Sequence, residues 1–491
     1  MTTLGANEPL GSDLVAAVRQ ATEAPPPRRS AVSGFSLSVA SQGERLLIPL
    51  VGIYLGYAVV RLPEVFIELA LPHLPMILML IFMAMLVVTV PTDAWQLIWR
   101  RSPAFRLVMM LAVLAFVTAP IGIWPSESFQ FFREKYLVVV IIFICCLVFL
   151  RDRRSLRLAV AIYVLCVAAV SYNVLHTYDP NAVVLNEDGD PIDPDVLAAR
   201  PELRRLQMVG VSLDPNDFGA VLGTTFPLAL WLSVGSFRRR VFWTGIAGLM
   251  VAAVVPTQSR GSELGFLAAA VVIVAAGARG WRRWFSFALV AGCVAMFVMM
   301  ATGIGAGARF SDFSSDDYNV SGNEGRLYFW KQGMIWMIKR PWGYGISNFS
   351  TYFGMLNGEE RAAHSSWVQY GMELGVAGLV LFILLCYSLV KGLRAIRKRA
   401  AARRAIDPEA KTEETLAGHM LAMLTGVLVT GTFLSNAYYP LMYMALGLAG
   451  ATVLGSKLPE ENPAEQALPP APGRGVPRRR LRAFPGPAST S

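Results

Sequence analysis

Arg260, Arg326 and His364 are the residues whose type and setting best fit chemistry in this sequence. Arg260, in Gln258-Ser259-Arg260-Gly261, sits at the end of one apolar stretch with almost nothing polar before the next. An arginine held there is costly unless it snorkels or binds an anion, and the sequence leaves both readings open. Arg326 opens a segment in which Leu327, Trp330, Met334 and Met337 recur at helical spacing. The spacing predicts an amphipathic helix lying on a membrane surface or on other helices, with Arg326 in its first turn. Free backbone N–H groups and the helix dipole add to the positive field there, and a guanidinium grips phosphate oxygens in pairs. An ordinary interfacial arginine is the alternative.

Four histidines occur, His73, His176, His364 and His419. Three border apolar stretches or open an acidic segment without convergent polar neighbours. His364, in Arg361-Ala362-Ala363-His364-Ser365-Ser366-Trp367, shares a polar stretch with Arg326. An imidazole with its ordinary pKa of about 6.5 suits a general base at neutral pH. Trp330, Trp336, Trp342, Tyr344, Tyr352 and Trp367 crowd the same stretch, as an interfacial belt or as platforms for sugar rings.

The elements that must position these residues are membrane helices. The chain has 491 residues, 54% hydrophobic and only 16% charged, whereas soluble domains carry about 25% charge. The composition is that of an all-α integral membrane protein. The net charge of +10 is spread through short runs between apolar stretches, which reports membrane orientation and no nucleic-acid partner. The five cysteines lie inside apolar stretches without zinc or disulfide spacing. Neither a metal nor another cofactor is expected.

About twelve stretches approach the ~20 residues needed to cross a ~30 Å hydrocarbon core. They begin near Leu46, Leu74, Leu107, Tyr136, Leu158, Asp217, Val241, Glu263, Trp284, Met372, Leu416 and Leu441. Ser435 to Pro440 reads either as a turn between two spans or as a break in one hairpin. Alternate connections are basic: Arg100-Arg101 with Arg106, Arg151 to Arg157, Arg238 to Arg240, Arg279 to Arg283, and Lys391 to Arg404. Basic loops stay cytoplasmic, which predicts both termini inside and large loops at about 176–216 and 305–366 outside, in a bacterial periplasm. Residues 1–45 and the Pro-rich basic 457–491 read as disordered cytoplasmic tails flanking a polytopic domain at 46–456. The acidic run Asp188 to Asp195 lacks the spacing and terminal Glu of a calcium loop. A metal-nucleotide-sugar transferase would need its acidic motif on the cytoplasmic side.

From Thr257 to Phe382 the chain resembles the bacterial O-antigen ligase and polymerase superfamily of multispanning glycosyltransferases. The resemblance is carried by Gln258-Ser259-Arg260-Gly261, Gly325-Arg326 with Trp330, the turn Pro341-Trp342-Gly343-Tyr344-Gly345-Ile346-Ser347-Asn348-Phe349, and Ala363-His364-Ser365 followed by Glu373-Leu374-Gly375-Val376-Ala377-Gly378. It implies a GT-C-like helical fold with a partly helical periplasmic loop. The donor would be a glycan on a polyprenyl (undecaprenyl) diphosphate. The acceptor hydroxyl would belong to another lipid-linked glycan or to lipid A core. The resemblance gives Arg260 and Arg326 the diphosphate and His364 the acceptor proton, without a metal. Trp330, Lys331, Tyr344 and Glu373 complete the substrate-binding set it implies, with Glu373 also a candidate for orienting the base. Ser365 stands where many members have Asn. Asp214-Pro215-Asn216-Asp217-Phe218-Gly219 resembles some polymerase-like members and leans the reading slightly to a polymerase. A secondary transporter shares the twelve-span plan, but it would concentrate ionisable groups at mid-membrane in two related halves. A non-catalytic envelope-assembly protein would leave three reactive side chains on one face by accident.

Overall fold

The computed structural model describes residues 42–60, 62, 74–177, 215–257, 259–276, 284 and 325–456, all within one unit, Ser41–Pro459. Both tails, His73, the acidic run and the start of the second large loop lie outside the described residues. Every regular element among those described is helical.

In chain order these are α1 (Gln42–Val60), α2 (Leu74–Thr89), α3 (Thr92–Arg101), α4 (Pro103–Thr118), α5 (Pro125–Phe131), a π turn (Phe132–Tyr136), α6 (Leu137–Phe149), α7 (Arg153–Thr177), α8 (Pro215–Leu232), α9 (Phe237–Val254), α10 (Arg260–Ala275), α11 (Arg326–Lys339), α12 (Phe349–Asn357), α13 (Ser366–Glu373), α14 (Gly375–Arg403), α15 (Ala410–Phe433) and α16 (Pro440–Gly455). Local signals set several boundaries. Ser102 caps α4 by accepting from the Phe105 N–H, with Pro103 at the first helical position. Gly358, left-handed at φ +86°, stops α12.

Helices begin close to each expected span start except Trp284, beyond which the chain is not described. Length and apolarity sufficient for a crossing are narrower. Arg153–Thr177, Phe237–Thr257, Gly375–Arg403 and Ala410–Phe433 qualify, and Ile77–Thr89 with Thr92–Arg101 makes a fifth, bent by 99°. That bend falls at Pro91, whose missing N–H and fixed φ break the ladder. Leu47–Val60, Pro103–Thr118 and Pro440–Gly455 are shorter apolar helices. The chain is thus a multi-pass helical membrane protein, and Ser435 to Pro440 is a turn between α15 and α16.

Burial separates inner helices from lipid-facing ones. Leu441 to Leu454 of α16 and Phe218 to Leu232 of α8 are buried on every side, as expected of apolar helices ringed by others. α16 packs on α6, and α15 packs on α8, α10, α14 and α16. α10 and α15 approach closely because Gly265 faces Thr430 and the Gly426 carbonyl, where a side chain would collide. α15 thereby ties the first turns of α10 and α14 to its own last turn, where the candidate residues gather.

Candidate functional site

The turn at 341–349 is the platform. Its backbone pairs with the junction of α13 and α14: Tyr344 N–H donates to Met372 C=O (3.0 Å), Gly345 N–H to Glu373 C=O (2.9 Å) and Val376 N–H to Pro341 C=O (2.9 Å). Gly375 is at φ +72°, and a Cβ there would strike the Pro341 carbonyl oxygen. From the other side Ile123 N–H donates to Tyr344 C=O (2.9 Å) and the Ser128 hydroxyl to Ile346 C=O (3.0 Å). The Glu373 carboxylate lies inside this knot, 1% exposed. It accepts from the N–H groups of Ser347 (2.9 Å) and Phe349 (3.2 Å). Burial pushes its carboxyl up to about 7, against the pull of those donors. Ser347 itself is left-handed, at φ +68°. Helix α12 springs from Phe349, so Glu373 fixes where α12 starts.

His364 lies on the loop between α12 and α13, also left-handed, at φ +46°. Its N–H donates to Ser435 Oγ (2.8 Å), and its carbonyl accepts from Trp330 Nε1 (3.3 Å). Its ring lies 5.9 Å from that of Phe329, tilted by 34°. The next residues are tied to the same place. Ser366 Oγ donates to Leu434 C=O (2.9 Å) and accepts from Asn436 N–H (3.0 Å), Trp367 Nε1 donates to Thr432 Oγ1 (3.1 Å), and the Tyr370 hydroxyl donates to Ala437 C=O (2.9 Å). The α15–α16 turn is therefore the socket for His364.

The arginines arrive from two further elements. Arg326 is the first residue of α11, after Gly325. Phe329 and Trp330, three and four residues on, share its helix face. These two meet His364, and the Trp330 ring lies 6.1 Å from that of Phe433, the last residue of α15. Arg260 is the first residue of α10, with Ser259 as its cap. The adjacent Gly261 abuts Phe433: a Cβ there would lie 2.9 Å from Phe433 Cβ. Phe433 thus joins the turns that carry Arg260 and Arg326, and Trp330 links them to His364. The Ser262 hydroxyl accepts from Ser259 Oγ (2.9 Å) and donates to the Asn216 carbonyl (3.0 Å), which brings Asp217 in the first turn of α8 beside this end of α10.

The remaining expected residues divide. Trp330 is half-buried against His364, whereas Lys331 is on the exposed side of α11. Tyr344, 5% exposed, is enclosed by the turn, with the Arg340 guanidinium 5.4 Å above its ring. Tyr344 and Glu373 thus build the platform. The buried face of α11 lies opposite Leu327 and Met334 of the expected amphipathic stripe. It is Phe329, Gly333 and Trp336, with Leu327 and Met334 exposed. Gly333 decides this, because its missing side chain leaves room for Val368 and Phe349, which apolar spacing alone does not reveal.

Sequence reasoning missed Ser435, whose only signal was a polar break in an apolar run. It also missed Glu263, buried in the first turn of α10 one helical turn from Arg260, although an acidic residue just inside a span is a readable functional signal. Among the described residues no three His, Cys, Asp or Glu side chains gather as a metal site would require.

Compared with known proteins, residues 245–383 match the family model described as O-antigen ligase. That segment contains Arg260, Arg326, His364, the 341–349 turn and Glu373. No curated protein matches the chain.

Proposed function

We propose that this chain, whose residues 245–383 match the O-antigen ligase family model, is a transferase of the O-antigen ligase and polymerase type that moves a glycan from a polyprenyl (undecaprenyl) diphosphate to an acceptor hydroxyl. The observation that carries the reading is the meeting of the Arg260, Arg326 and His364 turns around Phe433 and Trp330. As the glycosyl bond breaks, negative charge gathers on the diphosphate, so fixed guanidinium groups stabilise the transition state more than the ground state. Both arginines stand in the first turn of a helix, where the dipole adds to their field. In this reading they do the work a metal ion does in other transferases. His364 takes the proton from the acceptor hydroxyl opposite the leaving group, giving inversion at the anomeric carbon. Trp330 offers a half-buried ring to the sugar beside it.

The site faces the periplasm in a bacterial inner membrane, with both termini cytoplasmic and about twelve spans in all. The acceptor is another lipid-linked glycan or lipid A core. A slight lean to polymerase rests on the Asp214 to Gly219 segment, part of which lies beside α10. Reconstitution of the full chain with a lipid-linked oligosaccharide tests the reading. Donor is consumed by the native protein and survives with His364→Ala. Donor untouched by native, folded protein overturns it, and would favour a transporter or an assembly scaffold. Deletion of the gene separates the two transferases: single lipid-linked repeats accumulate after loss of a polymerase, long lipid-linked chains after loss of a ligase.

A further inference from the structure

Helix α11 lies across the mouths of two spans. At one end Trp330 rests on Phe433, the last residue of the Ala410–Phe433 span. At the other the chain leaving α11 packs its Pro341 and Trp342 backbone against Gly375, the first residue of the Gly375–Arg403 span, and Val376 N–H donates to Pro341 C=O. A 14-residue helix is about 21 Å long, so α11 runs between the ends of these two spans.

One side of α11 is buried on the protein through Phe329, Gly333 and Trp336. The opposite side carries Leu327 (56% exposed), Met334 (50%) and Ile338 (75%), spaced as one stripe and followed by Trp342 (57%). Lys331 and Lys339 are exposed along the same helix. Beyond Trp342 the stripe continues onto the outward face of the Gly375–Arg403 span through Val376, Val380 and Ile383, all exposed. Large apolar side chains interleaved with lysines, at the outer end of a lipid-facing span, match a phospholipid interface: alkyl groups enter the upper acyl region and ammonium groups reach phosphates.

We propose that the Leu327–Met334–Ile338–Trp342 face of α11, with Lys331 and Lys339 beside it, is a docking surface for phospholipids of the leaflet on the site's side of the membrane, the apolar side chains in the upper acyl region and the ammonium groups at headgroup phosphates. The consequence for catalysis rests on the functional reading above: Arg326, on the same helix, is held at phosphate depth, so a lipid-carried diphosphate reaches it without leaving the membrane surface.

The test uses the full-length protein in phosphatidylcholine–phosphatidylglycerol nanodiscs, with a bimane label on Ile338→Cys or Met334→Cys. Gly358→Cys, on the exposed tip after α12, is the water-facing reference, and the unsubstituted chain gives the labelling background. At Ile338 and Met334 lipids brominated high in the acyl chain are expected to quench, and iodide to quench only a fraction of what it does at Gly358. Iodide quenching equal to that at Gly358 overturns the proposal, because the face is then in water. Resistance to both quenchers also overturns it, because protein, such as a second copy of the chain, then covers the face. Glycan transfer measured on the same samples keeps the two readings apart: lipid quenching without transfer removes the functional reading and leaves the docking surface, while aqueous quenching with transfer does the reverse.

Discussion

Few side chains other than glycine adopt the left-handed conformation of His364 (φ +46°), and such strain survives only where surrounding contacts over-determine it. Ser435, Trp330 and Phe329 supply those contacts. His364→Gly relieves the strain and removes the imidazole, whereas His364→Ala keeps the strain. Both are expected to lose about 10²-fold or more in glycan transfer, with the Gly variant melting no lower than the Ala variant; turnover and thermal midpoint on purified protein check this. The arginines call for geometry as well as charge. Arg260→Lys and Arg326→Lys each keep the charge and lose the paired donors, so each is expected to lower transfer about tenfold or more at normal protein level. Full activity in both would reduce them to membrane anchors. Glu373 works by position. Folded Glu373 holds its proton to about pH 7, whereas an ordinary glutamate loses it near 4.5. Between those values the folded state binds the extra proton, so this group's contribution to stability is complete at low pH and lost as pH rises through that window. Glu373→Gln carries no such proton, so its thermal midpoint should change less between pH 5 and pH 8 than that of the native protein. Glu373→Ala, which leaves the Ser347 and Phe349 N–H groups without their acceptor, is expected to cost roughly 2–4 kcal/mol at acid pH.

Between elements, the α15–α16 turn is the part with the clearest mechanical role. It accepts the His364 N–H on Ser435, donates Asn436 N–H to Ser366, and takes the Tyr370 hydroxyl on Ala437. Ser435→Ala removes only the first of these. It is expected to lower turnover while donor affinity holds, because the arginines stand on α10 and α11; equal loss of both would place the turn in donor binding. The helices themselves were readable from apolar runs, since every described span start carries its own signal in composition. The three candidate residues drew notice by type and setting alone, as charges and a base in places where membrane proteins rarely keep them idle. Contacts at long sequence separation were not readable. Nothing in the spacing of Glu373 points to Ser347 and Phe349, and nothing in apolar spacing shows that Gly333 is the residue that seats Val368. The twelve-span count depends on length and apolarity alone, and Pro440–Gly455, apolar and enclosed by its neighbours, has only 16 residues.

At the scale of the whole molecule, the two ends of the bundle differ in chemistry. At one end Arg153 pairs with Glu409 (3.3 Å), Arg404 with Glu414 (3.6 Å) and Arg403 with Asp407 (3.7 Å), while Arg157 donates to Val234 C=O (3.0 Å). These contacts draw together the connections before α7, between α8 and α9, and between α14 and α15. Exposed ion pairs of this kind add little stability, and their value here is as markers of a common end. The other end holds the start of α14, the last turn of α15, the 341–349 turn and the three candidate residues. Lys and Arg excess marks the cytoplasmic end of membrane helices, so the site is expected to open on the opposite side, where only a glycan already carried across the membrane can reach it. An accessibility tag at Gly358 should therefore be reached by an impermeant reagent in intact spheroplasts, and one at Ala401, in the basic run, only after lysis. The reverse pattern would put Arg260, Arg326 and His364 in the cytoplasm, facing activated nucleotide sugars, and a lipid-linked donor would no longer be the substrate this site is placed to meet.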